Sequence, residues 1–240
     1  MASDGDSSRA RYDRFVEFER LMHVYPSGAV SPSNPTPLGF CAFALTLFVY
    51  SFIICGATVP IGTSAGPAMG LALFYGGLIQ LIAGLLEFRS GNNFYALTFC
   101  SYGGYWFSLA ALYVSGSFQF TSGIDTSVVS KSLGVFYLGW TIFTLAMLIS
   151  SVRSNVVLIA FFFFLMLTYI LLTASYFLVY HQDLARAGGA IGIFTSIIAW
   201  FLGFASLLRK GDNSYFNLPN YSLAPKTNAA VDAPVSKHKP

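Results

Sequence analysis

The chain has 240 residues, of which 55% are apolar, 17% aromatic and only 10% charged, with a net charge of +3. An average soluble domain carries about 25% charged residues; a globule with so few would expose large apolar patches and aggregate, and a disordered chain needs the opposite composition. The charges also gather at the ends, nine in residues 1–37 and seven in 209–240, leaving seven for the 171 residues between, so the middle reads as an integral membrane domain and the small net charge is no nucleic-acid footprint.

Residues 11–25 mix aromatic and charged side chains and suit a short interfacial helix, although the apolar stripe drifts. Asn34-Pro35-Thr36-Pro37 follows. Two prolines remove backbone donors and favour an extended approach at headgroup depth, with the Asn34 amide free to face a pore or to brace a helix. A spanning helix needs about 20 mostly apolar residues. Six segments qualify: Leu38–Thr58, Pro67–Leu86, Phe94–Val114, Leu133–Ser151, Val156–Val179 and Gly188–Leu208. Continuous apolar runs such as Leu158–Leu172 do not alternate, which excludes a barrel. Pro60, Gly62 and Gly66-Pro67, then Glu87–Asn93, Asp125–Lys131, Arg153–Asn155 and His181–Arg186 separate the spans. The expected fold is therefore all-α and polytopic. Its parts are a tail over residues 1–33, a six-helix transmembrane domain over 34–210 and a partly disordered tail over 211–240.

With a cytoplasmic amino terminus, Arg20, Arg89, Arg153, Arg209 and Lys210 fall inside and Lys131 and Arg186 outside. This five-to-two bias predicts that both termini are cytoplasmic. The sequon Asn220-Tyr221-Ser222 would then never meet the glycosylation machinery. Cys41, Cys55 and Cys100 are odd in number, lie in apolar runs and form no CxxC, so they read as small packing residues. The first 30 residues carry charges of both signs and no apolar run, so no cleavable signal is expected.

Polar residues inside a membrane are expensive, and each is a functional candidate. In the second span Gly70, Gly77 and Gly84 recur every seven residues and suit close helix packing. Gly76, Gln80, Ala83 and Glu87 fall on an adjoining stripe. Gln80 and Glu87, two turns apart, suit a hydrogen-bonded polar column. The plainer alternative is that Gln80 cross-links helices and Glu87 ends the helix beside Arg89. In Ser101-Tyr102-Gly103-Gly104-Tyr105-Trp106 the paired glycines let a neighbour or a pore approach, and Tyr102 offers a ring and a hydroxyl, or simply packs. The near absence of fixed charge disfavours a pump with charged relays and favours a narrow, neutral pathway. HExxH, GxSxG, GxxxxGK[ST] and CxxC are all missing, and the three histidines lie outside the spans, so no enzyme, cofactor or metal is expected.

Asn34–Gly39, Phe74–Asn92 and Ser101–Trp106 together resemble the acetate uptake transporter (AceTr) family, over roughly Asn34 to Leu208. Thr36 stands where the family usually has Ala. The resemblance implies a homohexameric ring with a separate pathway in each protomer for acetate and small monocarboxylates, with succinate as a further substrate. It implies an apolar constriction of Phe43, Tyr102 and Leu165, the last reached through Phe143 in the fourth span. Helical spacing adds Thr46, one turn beyond Phe43. The long charged amino tail is similar to fungal members, which implies the plasma membrane of a eukaryotic microbe. Ammonia or ammonium export, and a non-transporting acetate-adaptation sensor, are the competing functions. The expected partners are small carboxylic acids, the lipid bilayer and further copies of the chain.

Overall fold

The computed structural model describes residues 34–113, 123–219 and 223, all within one compact unit, Asn34–Pro240. The expected interfacial helix over 11–25 and the sequon at 220–222 lie outside the described residues. Six helices form among the described residues: α1 Thr36–Ile54, α2 Gly66–Arg89, α3 Asn93–Tyr113, α4 Thr126–Ser151, α5 Val156–Phe177 and α6 Gln182–Leu207. All but α3 are long and apolar enough to cross a membrane. The 21 residues of α3 are long enough, but its tyrosines, tryptophan and paired glycines lower its hydropathy. Tyr102, Tyr105 and Trp106 are buried inside the bundle, out of reach of lipid.

Helix ends differ from the composition-based boundaries where polar residues serve as caps. Pro35 and Pro37 do not hold an extended approach. Pro35 has φ −79° and ψ −12° and caps α1, while Pro37 sits in its first turn, where a missing N–H is harmless. α4 begins at Thr126, about two turns before Leu133, because the Asp125 side chain accepts the Ser127 N–H at 2.8 Å and caps the helix. The Ser127 hydroxyl, and after it this N–H, hold the Asp125 carboxyl below its usual range. α6 begins at Gln182 rather than Gly188, with Asp183 and Arg186 paired at 3.7 Å in its first turns. Asn155 caps α5 by accepting the Leu158 N–H at 2.7 Å. Val179 and Tyr180, at φ 57° and 61°, make the turn into α6 in the left-handed region, which is unfavourable for a β-branched residue.

Backbone neighbours run α3–α2–α1–α6–α5–α4, with α2 against α3 and α1 against α6 the two most extensive contacts. α3 reaches α4 and α5 through large side chains, among them Tyr105–Phe136, Tyr102–Phe143 and Tyr105–Tyr169. The core is thus an aromatic interior walled by α1, α3 and α5. The outer faces are apolar too. Val128, Val135, Ile142 and Ile149 of α4 recur every seven residues and are 52–62% exposed, a stripe suited to lipid or to another protomer.

The middle of α2 is not a plain α-helix. Phe74–Ile79 wind as a π-helix, and wider turns change which residues share a face. The expected heptad seam is therefore broken. Gly77 and Gly84 pack on α3, where a Cβ on Gly84 would lie 2.6 Å from Cys100 Sγ and 2.7 Å from its N. Gly70 faces open space instead. Cys100 takes the packing role expected of it.

Candidate functional site

Phe43 lies on the inner face of α1 and is 1% exposed; Tyr102 of α3 and Leu165 of α5 are fully buried. The Phe43 and Tyr102 rings meet edge to face at 5.6 Å. Leu165 belongs to the same core cluster. The α5 ring that meets Phe43 directly is Phe161, at 5.3 Å, and it also meets Phe40 at 5.8 Å. Leu165 stands one turn beyond Phe161. Phe161 is not apparent from sequence because it lies in the run Phe161–Phe164, which has no periodicity to single out one ring.

The hydroxyl of Tyr102 is engaged with Thr144 of α4 at 2.9 Å. Thr46 is buried and donates back to the Ala42 carbonyl of its own helix at 2.8 Å. Neither is the free donor that its position suggested. Asn34 is exposed and braces the helix ends: its Nδ2 donates to the Ser206 carbonyl at 3.1 Å, and its Oδ1 accepts the Thr36 N–H at 3.2 Å. Glu87 is 2% exposed and accepts the Thr36 hydroxyl at 2.5 Å. Its partner is thus the first turn of α1, whose N-terminal dipole favours a carboxylate, and not Arg89 or Gln80. No column joins Gln80 to Glu87.

Gln80 is fully buried, and both its Nε2 and its Oε1 lack hydrogen-bond partners. Trp106, also fully buried, has an unpartnered Nε1. Two contacts fix their height. Glu87 meets Thr36 at the start of α1, and a Cβ on Gly76 would lie 2.7 Å from Thr46 Oγ1 and 2.8 Å from Trp106 Cδ1. Gln80 follows Gly76 by one turn toward Glu87, so it stands level with the Phe43 stretch of α1. An unsatisfied buried amide is unfavourable by roughly 1–3 kcal/mol. A primary amide matches a carboxyl group, since its N–H donates to one oxygen while its C=O accepts an acid proton. The indole N–H of Trp106 adds a second donor. Trp106 closes the third-span motif, but a membrane tryptophan by itself signals only packing, so its part in the site is not apparent from sequence. Among the described residues no group of three His, Cys, Asp or Glu is placed to hold a metal.

An aromatic interior and helices apolar on their outer faces define a polytopic α-helical integral membrane protein. The chain matches the GPR1/FUN34/yaaH family over residues 21–225 and belongs to it. It is 35% identical over 219 residues to "Ammonia transport outward protein 2" of Saccharomyces cerevisiae, covering 89% of this chain and 75% of that protein. It is 37% identical over 199 residues to "Acetate permease A" of Emericella nidulans, covering 78% and 65%. The chain therefore spans about two thirds to three quarters of these relatives. Its fold is similar to the solved bacterial acetate channel SatP, with a TM-score of 0.69 and 28% identity, over 79% of this chain and 99% of that one.

Proposed function

We propose that the protein carries acetate and other small monocarboxylates across a membrane, through a pathway inside each protomer closed by Phe43, Tyr102 and Leu165. The observation that carries this reading is the juxtaposition of the buried, packed Phe43 and Tyr102 rings with an unpartnered Gln80 amide at the same height. Excluding water at such a point stops ions and large solutes. A methyl-bearing acid gains by pressing its apolar end on these rings. Its carboxyl end takes the hydrogen bonds of Gln80 and Trp106 in place of water. The names of the Emericella permease and the bacterial channel support acetate as the substrate. Six spans, a homohexameric ring, cytoplasmic termini flanking a 34–210 transport domain, and a plasma-membrane location complete the proposal. Purified protein in liposomes, given labelled acetate with and without an imposed pH gradient, tests it. Acetate entry well above that of protein-free vesicles is expected. Background entry of acetate beside rapid ammonia passage would overturn the acetate reading.

A further inference from the structure

Past the end of α6 the chain folds into a loop, residues 208–217, that bonds its polar groups to itself. The Asn213 side chain accepts the Arg209 N–H at 2.8 Å through Oδ1 and donates through Nδ2 to the Leu207 carbonyl at 2.9 Å. The Asn217 Oδ1 accepts the Lys210 N–H at 2.6 Å. The Gly211 N–H donates to the Ser214 carbonyl at 3.0 Å, and Gly211 turns at φ 86°, in the left-handed region that favours glycine. A loop held in this way has a set shape, and it turns aromatic rings outward. Tyr215 is 98% exposed and Phe216 58%. A cleft of about 500 Å³ adjoins them, lined by Lys210 to Tyr215 and including Asp212.

The depth of the loop follows from the helix that leads to it. From Ala187 to Leu207, α6 carries no charged residue and rises about 32 Å, which matches a hydrocarbon core of about 30 Å. The loop beyond Leu207 therefore lies among the headgroups. Two contacts bring other chain segments to the same end. The Leu223 N–H donates to the Ser154 carbonyl of the α4–α5 turn at 2.8 Å, and Asn34 joins the start of α1 to Ser206. Among the described residues, the exposed charges at this end are Arg89, Arg153, Arg209 and Lys210 against Asp212. Amphipathic rings settle at headgroup level, and basic side chains beside them are drawn to a negatively charged lipid surface.

We propose that the 208–217 loop is a preformed binding surface for anionic phospholipid. Tyr215 and Phe216 press into the headgroup layer, and the phosphate of one lipid lies in the cleft against the Lys210 ammonium. Asp212 lines the same cleft and weakens that attraction. The rings thus hold lipid of any charge, and Lys210 supplies the preference for an anionic one. The surface follows from the membrane fold and is independent of the acetate reading.

The test uses the full-length protein in nanodiscs of phosphatidylcholine, alone or mixed with phosphatidylserine, and reads amide hydrogen exchange over residues 209–217. Exchange should be about fivefold slower with phosphatidylserine, the worth of one basic residue at an anionic surface. Lys210→Gln should abolish that difference. Tyr215→Ser combined with Phe216→Ser should speed exchange in both lipids. These side chains are exposed, so the melting temperature in detergent should stay that of the wild type. A phosphatidylserine with a photoactivatable headgroup should crosslink to the same segment, and less so in Lys210→Gln. Equal exchange of the wild type in the two lipids, or a difference that survives Lys210→Gln, overturns the proposal. Exchange already slow in detergent and insensitive to all three side chains assigns the loop to a contact with another protomer and overturns it as well.

Discussion

Gln80 and Tyr102 occupy the same stretch of the interior but handle their polar atoms in opposite ways. The Tyr102 hydroxyl is satisfied by Thr144, whereas the Gln80 amide is bonded to nothing. Replacing an unsatisfied buried group by an apolar one of similar size is neutral or stabilising. Gln80→Leu should therefore keep or raise the melting temperature while weakening acetate uptake, a divergence visible by thermal unfolding and liposome flux on the same preparation. A fall in melting temperature with unchanged flux would make the amide a structural brace. Tyr102→Phe should instead destabilise by about 1 kcal/mol for the lost hydrogen bond, read as a lower denaturation midpoint. Gln80 is legible in the sequence because an uncharged amide inside an apolar run stands out. Its isolation from Glu87 is not legible. That depends on Thr36 of another helix capturing the carboxylate, which spacing along α2 cannot reveal. Leu165 is reached only through the family resemblance, and the ring beside Phe43, Phe161, is hidden by its phenylalanine neighbours.

The helices themselves are largely written in the composition, since runs of about 20 apolar residues have few other fates. What composition misplaces are the starts of α4 and α6, where Asp125, Lys131, Asp183 and Arg186 look like loop residues but lie in or cap first turns. The π segment Phe74–Ile79 is equally hidden. It turns Gly76 toward Thr46 and Trp106 and leaves Gly70 open, so a heptad count across it fails. Two predictions belong at this scale. Gly84→Leu should part α2 from α3, because even a Cβ there would clash with the Cys100 backbone. A loss of folded protein on size exclusion is expected, and a normal elution profile would contradict the tight contact. Asn155→Ala removes the cap of α5 and should lower stability by about 1 kcal/mol, measured as a reduced melting temperature with unchanged substrate selectivity.

Among the described residues the helices present apolar outer faces around an aromatic interior in which Glu87 is the one buried ionisable carboxyl group. The proposed ring gives the exposed α4 stripe of Val128, Val135, Ile142 and Ile149 a choice of two neighbours, lipid or another protomer. Native mass spectrometry of the detergent-purified protein should report six copies. A monomer that retains full acetate flux would contradict the ring and leave the pathway within each protomer intact. A single buried carboxyl group held by Thr36 makes no relay, so flux should respond to pH through the acid rather than through a titrating chain. Glu87→Gln keeps a partner for Thr36 and should leave the pH profile of uptake unshifted; a displaced profile would assign the carboxylate a part in proton movement.

The size selectivity of acetate entry bears most directly on the proposed gate. Phe43 and Leu165 set the width of the closure, and cutting either to Ala removes wall atoms without adding a charge. Labelled acetate, lactate and succinate uptake should be compared in liposomes holding equal amounts of wild-type, Phe43→Ala and Leu165→Ala protein. Lactate and succinate should gain on acetate several-fold in both variants. Unchanged ratios in both, with acetate still entering, would contradict a gate at these residues.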